Sequence, residues 1–322
     1  MLKPVITLIL CVLLCGAFAQ KKDSVVYYLD KKGHSVVKDS AAYYMAIFPP
    51  DSTVDKNLFI VKGYHKNGML KMLAYSKTNN LNLKFQGAVT IFFPNGHKMR
   101  VTNYNNGELT GDFTEYYPNG MFYNRQRYPK SAKDDAKPLL IDCSDPDGKV
   151  LATNGNGEWL RLNGDLTKIV EEGPVVNGIE EGDWRSRKSD TVETISEYRK
   201  GKIVSVADKY KSGSKVYLYV EKAPEFPGGP EGFGKFIANN IRYPAVARKN
   251  GVKGNVTVSF IVEKDGSISR VKVTKGIGSG CDEEAIRVLK LSPAWDPGVQ
   301  DGKPVRVMLN IPISFSLGKN NN

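Results

Sequence analysis

Val305-Arg306-Val307-Met308-Leu309-Asn310-Ile311-Pro312-Ile313-Ser314-Phe315-Ser316-Leu317 places an apolar residue at every odd-numbered position and Arg, Met, Asn, Pro or Ser at the even ones. Alternation of period two sustained over this length predicts a half-buried β-strand. Pro312 lies inside it, and proline cannot donate to an interior ladder. The strand is therefore expected at a sheet edge, with its even-numbered backbone groups, those of Arg306, Met308 and Asn310 among them, facing outward. Unpaired N–H and C=O groups along an edge are a liability unless blunted, or a place where a partner strand adds.

Working back from this strand, the pattern alternates between helix and strand. Cys281, Ala285, Val288 and Leu289 share one helical face, with Asp282, Glu283 and Glu284 at the start and Arg287 and Lys290 near the end, as the helix dipole favours. Val256, Val258, Phe260 and Val262 alternate as a strand, and Asp265-Gly266 turns the chain into a second strand bearing Val271 and Val273. Tyr243-Pro244 through Gly251 is expected to be a short helix with Pro at N1 and Gly past its end. Phe233, Phe236 and Ile237 recur at helical spacing after Pro230, and Ala223 to Pro230 is dense in Pro and Gly, which predicts a linker. Helix, strand, strand, helix, strand describes a small α+β domain with helices on one face of an antiparallel sheet.

Upstream, the sequence repeats itself. Tyr64-His65-Lys66-Asn67-Gly68, Phe92-Phe93-Pro94-Asn95-Gly96 and Tyr116-Tyr117-Pro118-Asn119-Gly120 share an aromatic, x, x, Asn-Gly pattern. Between such units, Gly107 to Phe113 matches Gly178 to Trp184, and Gly157-Glu158-Trp159 repeats the end of that motif. Asn-Gly is expected to supply the two left-handed residues of type I′ hairpin turns, with the flanking aromatics forming the core of the sheet. A lone hairpin is marginal in water, so the units should stack as an extended antiparallel meander. Val25 to Leu29 is its expected first strand, and Val216 to Val220 its last.

Composition narrows the function. The 322 residues carry a net charge of +12, with 31 Gly, 17 Pro, four Cys and three His. After Lys3, residues 5–19 form an apolar run ending Ala17-Phe18-Ala19 before Gln20, which reads as a secretory signal peptide cleaved after Ala19. As a helix that run would span about 22 Å, short of a hydrocarbon core of roughly 30 Å. Lipid attachment at Cys15 is disfavoured by Leu14 before it. Cleavage would leave Cys143 and Cys281, read as single thiols, and export would make the basic charge a property of an envelope protein. Basic residues are scattered without interleaved aromatics, so nucleic-acid binding is not expected. His65 and His97 are read as exposed turn residues. No nucleophile is paired with a base, so no enzyme, metal or cofactor is expected.

The C-terminal residues carry a family resemblance. Tyr243-Pro244-x-x-Ala247, Gly251-x-x-Gly254-x-Val256, Asp265-Gly266, Gly280-Cys281-Asp282-Glu283-Glu284-Ala285 and Trp295-x-Pro297-Gly298 closely resemble the C-terminal domain of TonB, over residues 225–317. The repeat, over about residues 59–205, resembles MORN-type repeats. The TonB resemblance implies a periplasmic domain that takes up the TonB box of an outer-membrane receptor as an extra strand. Force from an inner-membrane, proton-driven motor then opens the receptor for transport, and motor contact requires that the N-terminal segment be retained as an anchor. Carried over residue by residue, the partner-binding edge would be Val305, Arg306, Val307, Met308, Leu309, Asn310 and Ile311. The alternative is a cell-envelope scaffold or adhesion protein that binds partners through its repeat sheet.

The whole chain is thus expected to be mainly β, an antiparallel hairpin repeat followed by a small α+β domain. Its expected parts are a signal peptide over 1–19, an N-terminal β region over 20–58, the MORN-like repeat over 59–220, a linker over 221–230, the TonB C-terminal domain over 231–317 and a tail over 318–322. Location is expected in the periplasm or cell envelope, anchored in the inner membrane if the first segment is uncleaved. Intact-mass measurement of the exported protein should give a chain starting at Gln20; a start at Met1 would restore the anchor.

Overall fold

A computed structural model describes residues 24–128 and 137–317. The expected signal segment and tail lie outside the described residues. The chain is mainly β and divides into two compact units, residues 1–113 and 114–322.

In the first unit, β1 (Val25–Leu29), β2 (Tyr43–Phe48), β3 (Phe59–His65), β4 (Leu70–Ser76), β5 (Gly87–Phe92) and β6 (Lys98–Asn105) pair antiparallel in chain order. The register of β2 on β3, Met45↔Gly63 and Ile47↔Val61, puts Met45, Ile47 and Val61 on one face, where they bury with Leu29, Ala74 and Val89. The opposite face carries a row of tyrosines across three strands: Tyr28 and Tyr44 lie 6.5 Å apart and Tyr44 stacks on Tyr64 at 4.9 Å. The boundary between the units falls in β7 (Glu108–Tyr116).

The second unit continues as a meander through β8 (Phe122–Tyr128), β9 (Leu139–Ser144), β10 (Val150–Thr153), β11 (Asn156–Leu162), β12 (Ile169–Val176), β13 (Ile179–Glu180), β14 (Gly182–Ser189), β15 (Val192–Arg199), β16 (Lys202–Tyr210) and β17 (Lys215–Tyr219). It ends in a small domain of α1 (Gly229–Asn240), α2 (Ala245–Lys249), β18 (Gly254–Val262), β19 (Ile268–Lys275), α3 (Cys281–Lys290), β20 (Gly298–Gln300), β21 (Lys303–Val305) and β22 (Val307–Phe315). Of the motif aromatics expected in the core, Trp159 and Trp184 are fully buried, whereas Tyr64, Phe92 and Tyr116 are only half-buried. The Trp184 ring lies over Gly173 of β12, where a Cβ would fall 2.4 Å from the ring, and its indole N–H donates to the Pro174 carbonyl at 3.0 Å.

Two kinds of turn replace the single kind expected. Where Asn-Gly is the whole loop, as at Asn177-Gly178 between Val176 and Ile179, both residues have positive φ, 51° and 80°, and the turn is type I′. In the aromatic-x-x-Asn-Gly units only the glycine is left-handed: Gly68 has φ 80°, its N–H donates to the His65 carbonyl, and the His65 N–H donates to the Met69 carbonyl. This is the three-residue loop closed by a G1 bulge. The Asn there does different work. The Asn67 side-chain oxygen accepts from the Met69 N–H at 3.1 Å, and its amide donates to the Pro94 carbonyl of the next turn at 3.2 Å. Asn119 repeats both contacts, with Met121 and Pro146. The same turn recurs without the aromatic signature at Asp145–Lys149, Tyr210–Ser214 and Glu263–Ser267.

The stretch expected as a linker is built into the fold. Lys222 and Val299 exchange both backbone hydrogen bonds, as do Glu225 and Asp296, and Phe226 is buried against Phe233, Phe236 and Trp295. Proline and glycine density marked an irregular backbone there, and Phe226 is what fixes it in place. Pro244 is the N-cap of α2 rather than its first residue, and His65 is half-buried with its ring nitrogen 3.0 Å from the Phe92 carbonyl.

Gly173→Val should destabilise the protein by about 3 kcal/mol through overpacking on Trp184, read as a lower midpoint of unfolding followed by tryptophan fluorescence.

Candidate functional site

β22 pairs antiparallel with β18 along its whole length, from Val262↔Val307 to Gly254↔Phe315, and β18 pairs with β19 on its far side. Thr257 faces Pro312 in this register. Because Pro312 has no N–H, that pair belongs to the non-hydrogen-bonded set, so the bonds to β18 come from odd-numbered residues and the even-numbered groups face away. One contact on the outward side has the same parity: the Tyr217 N–H of β17 donates to the Arg306 carbonyl at 2.8 Å, a parallel bridge of Tyr217 with Val307. Beyond that bridge, no strand lies on the outward side of β22 among the described residues.

Side chains follow the same division. Val307, Ile313 and Phe315 are buried, and Ile311 and Leu309 pack on the core formed by Val256, Val258, Phe260 and Val262 of β18 and by Cys281, Ala285, Val288 and Leu289 of α3. Asn310, Pro312, Ser314 and Ser316 are exposed.

The open edge is one wall of a groove of about 400 Å³. Its other wall is α1 and the chain after it: Phe233, Ile237, Ile241 and Tyr243 face Pro312 to Ser316, with the small residues Gly234 and Ala238 between them. α1 buries no residue completely, although Phe233, Phe236 and Ile237 touch the core. Its apolar surface is thus left partly uncovered along the edge. Among the described residues, no charged one lines the groove.

Two ion pairs hold the walls. Glu284 of α3 accepts both Arg287 nitrogens at 2.7 Å and the Arg242 N–H, while Arg287 also donates to the Asn240 carbonyl at the end of α1. Arg287, then the Arg242 N–H, hold the Glu284 carboxyl below the usual carboxylate range against the opposing effect of burial. Glu263 of the β18–β19 turn receives two bonds from Arg306, at 2.6 and 2.9 Å, and these likewise lower its carboxyl. Asp282 accepts the N–H groups of Ile277 and Gly278, fixing the turn into α3.

Of the residues expected at the partner edge, Val305 lies in β21, paired with Gly298, and the Arg306 carbonyl is already bonded to Tyr217. Met308, Leu309, Asn310 and Ile311 lie on β22, of which the even-numbered pair faces outward. Sequence reasoning did not bring Phe233, Ile237, Ile241 and Tyr243 to the site. Their helical spacing showed an apolar stripe but not that the domain core would leave it half-covered.

Cys143 and Cys281 are both buried, free thiols, and burial pushes Cys143 up to about 11. Among the described residues, no cluster of His, Cys, Asp or Glu could hold a metal ion, and no helix is long and apolar enough to cross a membrane.

Comparison with known proteins places this domain. Residues 239–317 match the family model of the Gram-negative bacterial TonB protein C-terminal, so this part of the chain is a TonB C-terminal domain. It is similar to the protein TonB of Helicobacter pylori, 33% identical over 82 residues, and of Vibrio cholerae, 31% over 77 residues. These alignments cover 25% and 24% of this chain and only 27% and 31% of those relatives' own length. A solution structure of the Helicobacter pylori TonB C-terminal domain is 29% identical, covering 27% of this chain and 78% of that one, with a TM-score of 0.21.

A depressed carboxylate contributes stability that is present above its unfolded pKa, about 4.3 for Glu, and lost as pH falls through its lower folded value. The domain should therefore hold its stability from neutral pH down to about 4.3 and lose it below. Glu284→Gln should be less stable at pH 7 and show a shallower acid limb, read from denaturation midpoints across pH.

Proposed function

We propose that this TonB-like protein works in the cell envelope, where its C-terminal domain takes up an extended peptide of an outer-membrane receptor as an added strand on β22 and so supports energy-coupled transport. The observation that carries this reading is the outward side of β22 beyond Met308, open and lying beside an uncharged apolar groove. Similarity to TonB proteins supports the same partner class.

Magnitudes say both parts of the site are needed. A backbone hydrogen bond contributes about 1 kcal/mol net, so four or five along the edge fall well short of the roughly 8 kcal/mol of micromolar affinity. Burying about 200 Å² of apolar surface in the groove adds about 5 kcal/mol at ~25 cal/mol per Å². An extended segment with alternate apolar side chains meets both demands, since one set of side chains enters the groove while the backbone pairs. A charged side chain at an inward position would be desolvated without a partner.

The half-exposed tyrosine row of Tyr28, Tyr44 and Tyr64 favours a second reading, in which the repeat sheet itself holds an envelope partner and the C-terminal domain is a peptide clamp. Pull-down of the same partners by a chain lacking residues 225–317 would decide for it.

Asn310 is exposed and faces outward, as Pro312 does, so Asn310→Pro should leave the fold intact while removing one donor from the edge. Calorimetry with a TonB-box peptide should show affinity weakened roughly tenfold, about 1.4 kcal/mol. Undiminished affinity in the folded variant would rule out strand addition at this edge.

A further inference from the structure

The outward side of β22 is not open from end to end. β17, the last strand of the repeat meander, already occupies its first position, running parallel to β22 with the Tyr217 N–H on the Arg306 carbonyl. A strand added to β22 would lie in the same lane as β17, end to end with it. We infer that β17 is a fixed stop in that lane, and that Tyr217 sets the register and maximum length of the strand the domain can accept. This rests on the strand-addition reading above.

A displaceable strand and a fixed one differ in what holds them, and β17 is held on every side. Its other edge pairs antiparallel with β16, Asp208↔Val216 and Ala207↔Tyr217 among the pairs, and Val216 is fully buried. Past Tyr219 the chain leaves the lane at once: Val220 is buried, and Lys222 exchanges two backbone bonds with Val299.

Side chains clamp the same junction. Arg199 of β15 bonds Glu197, Glu221 and Asp301. The buried Gln300 accepts the Glu221 N–H, and the Asp301 N–H donates back to the Glu221 carboxylate at 3.0 Å. On the β22 side, Arg306 is tied to Glu263 by two bonds. Expelling β17 would break this whole set to gain a single rung, so an incoming strand must begin beyond it. The remaining lane, from Asn310 to Ser316, is about 23 Å at ~3.3 Å per residue. Leu218 and Tyr219 are exposed beside its start, 39% and 54%, where the end of the bound strand would rest.

Tyr217 can be tested without disturbing its pairing to β16. With its N–H directed at Arg306, the hydrogen bonds to β16 come from its neighbours, so Tyr217→Pro removes only the bond to the Arg306 carbonyl. The probe is a synthetic TonB-box peptide, used with the full chain and extended by two residues at either end in turn. In the unaltered protein, extension toward β17 should leave Kd unchanged. In Tyr217→Pro it should likewise leave Kd unchanged, because β16 and the clamp at Glu221 keep the rest of β17 in the lane; tighter binding there would overturn a fixed stop. Amide exchange on the unaltered protein decides the matter even if the variant fails to fold. At saturating peptide the Asn310 and Ser314 amides should slow by about tenfold or more while Tyr217 stays within about twofold. Binding accompanied by faster Tyr217 exchange would overturn the stop alone. No slowing at any β22 amide would overturn the strand-addition reading, and the stop with it.

Discussion

Pro312 lacks an N–H, and that one missing donor sorts the backbone of β22 into two sets. Odd-numbered groups bond β18 and carry the side chains that close the core; even-numbered groups face outward. A register slip by one residue would bury Asn310 and Ser314 and expose Ile313 and Phe315, so hydrophobic patterning and the proline enforce the same alignment. Everything proposed for this domain depends on that alignment: the open edge, the wall it makes with α1, and the single rung taken by β17.

The repeat units solve a different problem with similar economy of means. A lone hairpin exposes two faces, so each strand relies on its neighbours for burial. Trp159 and Trp184 fill one face where glycine leaves room, as Gly173 does beneath Trp184. Arg161 lies over the Trp184 ring at 4.1 Å while paired to Glu171 and Glu180, and Tyr198 packs against the same indole at 5.7 Å. Along the turns, an asparagine side-chain amide reaches the carbonyl of the next turn at two places, Asn67 to Pro94 and Asn119 to Pro146. Repetition of the motif thus fixes the stacking of turns as well as their shape.

Most of the C-terminal domain was legible because its signals are local. Alternation in β18 and β22, the Asp265-Gly266 turn and the apolar face of α3 each depend on residues close in sequence. What escaped depends on distant pairs. Phe226 looks like part of a Pro-rich linker until Trp295 is placed beside it, and nothing near Tyr217 shows that it bonds Arg306. Turn type rests on a subtler distinction. Asn-Gly serves both a two-residue loop and the end of a three-residue one, and the choice falls to how many residues separate the strands. The aromatic at the start of the motif was the usable sign, and turns such as Asp145–Lys149 lack it.

The β17 junction also has a mechanical meaning. β22 is flanked by β18 over its full length and by β17 at its start, and β17 continues the ladder into β16. Tension along β22 is therefore opposed in shear, with many hydrogen bonds loaded together, whereas a pull across the strand would unzip them singly. A Pro-rich tether in this place would absorb a pull by straightening. Here the chain ahead of β22 is itself paired, through β17 to β16, so a pull would load those ladders from the start.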